Sequence, residues 1–129
     1  MVEHANIGLW RKGQEAFSRR DLDTLREVYS EDVVYHFPGT HQLAGHYTGL
    51  DAVLQFLARV VAETHLHIAE VHSVMADEEH VVALIRAIAN RGGKQFALDQ
   101  ANVYHVVDDR ITEAWLLPAD PVALDAFLS

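Results

Sequence analysis

The sequence predicts an α+β domain, and three observations carry that prediction. Apolar residues recur at helical spacing through most of the first half of the chain. From His65 onward the period changes to two. The alternating runs are separated by short turn-forming groups, which describes antiparallel strands joined by hairpins rather than βαβ crossovers.

The elements follow in order. Ile7, Trp10 and Phe17, with Leu9 and Ala16 beside them, mark a first helix over 4–18, broken at Arg19-Arg20-Asp21. Asp21 is a good N-cap for a second helix whose face is Leu22, Leu25, Val28 and Tyr29. A strand from Asp32 to Phe37 comes next and stops at Pro38-Gly39. Residues 40–48 read as a polar loop carrying His41, His46 and Tyr47. Thr48-Gly-Leu-Asp51 then resembles a capping box for a third helix, which presents Leu50, Val53, Leu54, Leu57, Val60 and Val61 and ends near Glu63.

Four strands are expected after that: His65–Met75, His80–Asn90, Lys94–Val107 and Arg110–Leu117. Ala76-Asp-Glu-Glu79, the two glycines of Arg91-Gly-Gly-Lys94, and Asp108-Asp109 supply the turns. Pro118 ends the last strand, and Asp120-Pro121 opens a short final helix with Leu124, Phe127 and Leu128 on its apolar face.

The 129 residues suit one domain, read as 1–129, with a core that needs no staples. With no cysteine, disulfides and thiolate metal sites are excluded. A net charge of −9 with scattered basic residues argues against nucleic acid and anionic membrane as partners. No apolar run is long enough to span a bilayer and no signal peptide is visible, so a cytoplasmic location is expected.

The combination of Arg20-Asp-Leu-Asp-Thr-Leu25, Tyr29-Ser-Glu-Asp-Val-Val-Tyr-His-Phe-Pro-Gly39, Leu43-Ala-Gly-His-Tyr-Thr-Gly-Leu-Asp-Ala-Val53 and Val103-Tyr-His-Val-Val-Asp-Asp-Arg-Ile111, followed by Thr-Glu-Ala-Trp115, resembles the nuclear transport factor 2-like superfamily. The likeness is to its SnoaL-like and ketosteroid isomerase-like branch. It implies a cone: a curved antiparallel sheet whose concave face is covered by the N-terminal helices around a small-molecule pocket, usually in a homodimer formed through the sheet. It also implies site positions. The general-base position falls on His36, the position of the proton-donating acid on Asn102, and a supporting tyrosine on Tyr29. The first-helix oxyanion donor falls near Gly13, where no donor exists.

On this reading His36 and Asn102 are the catalytic candidates. Tyr29, Gln100, Trp10, Tyr47, Leu57 and Leu116 are candidates for the pocket wall, with Trp10 and Tyr47 closing the cone. An imidazole can serve as acid or base near neutrality. Two functions stay open: a cofactor-independent acid–base enzyme acting on a small apolar carbonyl compound, and a binding protein that uses the same pocket without turnover. The pair His65 and His67 with Glu70 and His105 lacks the spacing of a metal barrel, so neither metal nor cofactor is expected. Trp115 and Glu113 are expected on the convex side, and Arg86 is read either as a pocket cation or as part of the outer face.

Overall fold

The computed structural model describes residues 3–129. Helices α1 (Ala5–Arg19) and α2 (Leu22–Val28) form the opening hairpin. They lead into β1 (Tyr29–Phe37), β2 (Gly45–Thr48) and α3 (Leu50–Thr64). Then come β3 (His67–Ala76), β4 (His80–Arg91), β5 (Lys94–Val107), β6 (Arg110–Pro118) and α4 (Pro121–Leu128). All six strands join one sheet in the order β2-β1-β6-β5-β4-β3. Strands β3 to β6 form an antiparallel meander, and β1 docks on β6 in parallel, so the sheet is mixed at that single seam.

Local chemistry explains most boundaries. Asp21 caps α2 by accepting from the Thr24 N–H at 3.1 Å. Asp120 caps α4 in the same way, with Pro121 at its first turn. Gly92 and Gly93 at φ 58° and 80°, and Asp108 and Asp109 at φ 50° and 60°, are the left-handed pairs that a two-residue hairpin turn requires. At α3 the outcome differs from the capping box expected at Thr48: Gly49 is the N-cap, at φ 94° and without a side-chain bond. Thr48 is instead committed to β2, paired with Val34. That short strand was expected as loop, because four residues are too few for a period of two to show.

The segment before β2 also differs from a solvated loop. Leu43 is 2% exposed and His41 is 6% exposed. Helix α4 holds this segment down, since the Asp125 carboxylate accepts from the Thr40 N–H at 2.9 Å. The backbone turns in at Gly39 (φ 135°), where a Cβ would meet Asp125 Oδ1 at 2.6 Å. His41 Nδ1 accepts from the Leu43 N–H at 3.1 Å, and its ring packs against Phe37.

The core lies between the concave face of the sheet and the helices. Tyr35, Ala114, Tyr104 and Val81 form one inward cross-strand row, and Leu116, Asn102 and Ala83 form the next. Alanines at 83, 87 and 114, each 0% exposed, let the sheet bend without filling the space beneath α3.

Burial holds the His41 imidazole below its ordinary value, opposed by the nearby Asp125 carboxylate and the Pro38 backbone. A histidine whose folded value is depressed contributes stability that is complete above the unfolded value of about 6.5 and is lost as pH falls below it. The urea midpoint of the wild-type chain should therefore fall between pH 7.5 and pH 5. In His41→Asn that fall should be smaller; an unchanged fall would remove His41 as its source.

Candidate functional site

The alternation of β1 decides which side chains reach the cone. Val33, Tyr35 and Phe37 are 0%, 3% and 5% exposed and point inward, while Val34 and His36 point out. This corrects the expectation for His36. It lies on the convex face, stacked on Trp115 at 5.5 Å between ring centroids, with Nδ1 2.6 Å from His46 Nδ1. Its Nε2 donates to the Glu113 carboxylate. Trp115 and Glu113 are convex, as expected. Arg86 is convex as well, donating to both Asp99 carboxylate oxygens at 2.8 and 3.1 Å.

The cone holds a cavity of about 70 Å³, partly open to the outside. Asn102, Gln100, Tyr29, Leu57 and Leu116 stand in its wall, as the sequence led one to expect. Tyr35, Tyr104, Phe37, Phe56, Ile85 and Leu98 join them, and α1 contributes Gln14 and Phe17. Trp10 and Tyr47 do not line it. Trp10 is buried beside Tyr104 and borders an outer hollow of about 440 Å³ between α1 and β3. Tyr47 stacks behind Phe56 at 4.2 Å and donates to the Leu43 carbonyl at 2.8 Å. What separates the cavity from the hollow is Gln14, Phe17, Leu66 and Ile68, which belong to the walls of both. Gly13 faces α2, where a Cβ would lie 3.2 Å from Val28, so the polar group that the first helix offers the cavity is Gln14.

The polar chemistry of the cavity is neutral. Its wall carries no carboxylate, imidazole, ammonium or guanidinium among the described residues. The Tyr29 and Tyr35 hydroxyls form a buried pair at 2.6 Å, with the rings edge to face. Burial pushes both phenols above their ordinary value and the neighbouring Tyr104 adds to it; the shared hydrogen bond raises Tyr35 further and partly opposes the rise at Tyr29, so both stay protonated at neutral pH. Burial raises Tyr104 likewise, against the nearby N–H groups of Trp10 and Asn102. Asn102 Oδ1 is buried with no hydrogen-bond partner. An unmet acceptor in such a place costs roughly 1–3 kcal/mol unless water or another polar group satisfies it.

The SnoaL-like domain profile matches residues 10–114 of this chain. The chain belongs to the SnoaL-like family. An uncharacterized protein of Mycobacterium tuberculosis is 32% identical over 129 residues, covering 98% of both chains. Among solved structures, Bal32a from a soil-derived mobile gene cassette superposes with a TM-score of 0.90 at 27% identity, over 96% of each chain. A nuclear transport factor 2-like protein of Burkholderia xenovorans gives a TM-score of 0.90 at 22% identity, over 100% of this chain and 99% of its own. The cone architecture expected for a SnoaL-like chain is thereby shown.

Sequence reasoning missed Tyr35 and Phe37 because it set the β1 alternation one residue out of phase. The signal was present. Val33, Tyr35 and Phe37 are uniformly large and apolar, whereas the other parity contains the titratable His36. Phe17 and Gln14 could be placed only by knowing how α1 crosses the sheet.

In this SnoaL-like domain the tyrosine pair should behave as a unit. Tyr35→Phe leaves the Tyr29 hydroxyl buried without its partner and should cost roughly 1–3 kcal/mol in urea unfolding. The double change Tyr29→Phe with Tyr35→Phe should cost less than the two single changes added together. Strict additivity would show that the two hydroxyls are not coupled.

Proposed function

We infer that this chain is a binding protein for a small, neutral, largely apolar molecule that carries one hydroxyl or carbonyl group, held without acid–base turnover. The observation that carries this reading is the neutrality of the cavity wall. A general base working near pH 7 needs an imidazole or a raised carboxylate within hydrogen-bond reach of the reacting proton. The cavity wall supplies only amides and protonated phenols. Of the two functions the sequence leaves open, this favours the one without turnover, and His36 on the convex face has no route to the guest.

The polar groups present suit recognition. Asn102 Oδ1 can accept from a guest hydroxyl. Of the two tyrosine hydroxyls, the one that accepts within the pair keeps its own proton free to donate to a guest oxygen. The rings of Phe37 and Phe56 with Leu57, Leu98 and Leu116 supply the apolar enclosure. A cavity of about 70 Å³ is smaller than the roughly 150 Å³ in which a benzene-sized guest is held. Entry therefore requires movement at the shared wall. Phe17 is the side chain placed to move, because it is half-buried and lies under the Arg20 guanidinium at 5.6 Å on its outer side.

Phenol and toluene provide a matched pair of probes, with one ring each and a single hydroxyl between them. Phenol should saturate a set of amide shifts at Tyr35, Asn102 and Leu116 and bind about tenfold more tightly than toluene. That is the effect of one satisfied buried hydrogen bond. Asn102→Leu should erase the preference while leaving toluene bound. Equal affinity for the two probes, or phenol shifts confined to the outer surface, would contradict the reading.

A further inference from the structure

At the end of the sheet where β3 turns into β4, three ligating side chains meet outside the cone. Glu79 ends the β3–β4 turn, His80 opens β4, and His105 is the register partner of His80 on β5. One ligand atom from each of the three lies within 4.8 Å of the other two. We propose that Glu79, His80 and His105 form a surface site for a divalent transition ion of the zinc class, with water completing the coordination.

The two imidazoles are oriented for this. His80 Nδ1 lies 3.2 Å from the Asp77 carboxylate, which also accepts from the Glu79 and His80 N–H groups at 2.9 and 2.8 Å. An ionised carboxylate only accepts, so the proton sits on His80 Nδ1 and Nε2 is left with its lone pair. His105 Nδ1 lies 3.2 Å from Thr112 Oγ1, and the same hydroxyl donates to the His105 carbonyl at 3.3 Å. The hydroxyl oxygen is thus free to accept from Nδ1–H, which again leaves Nε2 as the ligand atom. A carboxylate or hydroxyl behind each ring is the outer-shell arrangement that fixes tautomer and aim in histidine metal sites.

The backbone beneath these side chains is held from two directions. Asn6, 6% exposed, donates from Nδ2 to the carbonyls of Asp77 at 2.9 Å and Glu78 at 3.2 Å. On the other side the Glu79 carbonyl accepts from the Val106 N–H at 2.8 Å. A tetrahedral ion bonded at about 2.0–2.2 Å sets its ligand atoms roughly 3.4 Å apart. The exposed Glu79 side chain can close that gap by rotating about its own bonds. Two imidazole nitrogens and one carboxylate suit zinc, nickel or copper rather than magnesium or calcium. Of the residues weighed for a metal on sequence, only His105 belongs here; His65, His67 and Glu70 lie toward the start of β3, away from the β3–β4 turn, and take no part.

The test uses zinc ion alone, on the full chain without an affinity tag after dialysis against a chelator. Calorimetry should give one zinc per chain. In ¹⁵N-labelled protein the Nε2 resonances of His80 and His105 should move while those of His65, His67 and His72 stay. His105→Ala should weaken zinc binding at least about tenfold, whereas His36→Ala should bind as wild type does. The wild-type resonances report on the site even where a variant folds poorly. Absence of saturable uptake, one zinc per two chains, movement confined to other histidines, or unchanged affinity in His105→Ala would each overturn the proposal.

Discussion

The constraint on which the rest of the site depends is the two-residue alternation of β1. Once Val33, Tyr35 and Phe37 are buried, the regular alternation of the strand from Val33 onward obliges His36 to face outward. The Tyr29–Tyr35 hydroxyl pair locks this choice. Sliding β1 by one residue would place a titratable ring in the cone and expose two aromatic rings and a valine. Parallel pairing with β6 then carries the same parity across the sheet. Tyr35 falls beside Ala114, and His36 beside Trp115. One strand thus divides the chemistry of the molecule into a neutral concave side and a titratable convex side.

The concave side is neutral for a physical reason. A charged group beneath α3 would need a partner, and the space there is shaped by alanines and leucines with no counter-charge to offer. Phenols and amides can be buried at far smaller cost, and burial itself keeps the phenols protonated. The unmet acceptor in the cavity wall, Asn102 Oδ1, is tolerable in a folded chain if a guest or water satisfies it. On the convex side the ionisable groups pair among themselves, Arg86 with Asp99 and His36 with Glu113, where solvent shares the cost.

Much of this was legible in the sequence. Asp21, Asp120-Pro121 and the Gly-Gly and Asp-Asp turns fixed element boundaries through local chemistry alone, and Lys94–Val107 came out to the residue. Asn102, Gln100 and Leu116 came out in the wall because the family resemblance set the faces of β5 and β6 correctly, and Leu57 lies there on α3; Tyr29 reaches the wall as the first residue of β1, not on the face of the second helix where it was expected. His36 was misplaced because a match to a family position outweighed the plain pattern of large apolar residues at 33, 35 and 37. Other features were not legible for a different reason. Burial of His41 depends on Asp125 from the last helix, and the meeting of Glu79, His80 and His105 depends on strand register. Neither contact is local, so no window of sequence contains it.

The central claim is that the cone holds its guest through groups that do not titrate near neutrality. The direct measurement is the affinity of the wild-type chain for phenol from pH 5.5 to pH 8, a range in which phenol itself stays neutral. The account predicts a constant affinity. A change of about tenfold with a midpoint near 6.5, the ordinary value for an imidazole, would place a histidine at the guest and contradict it.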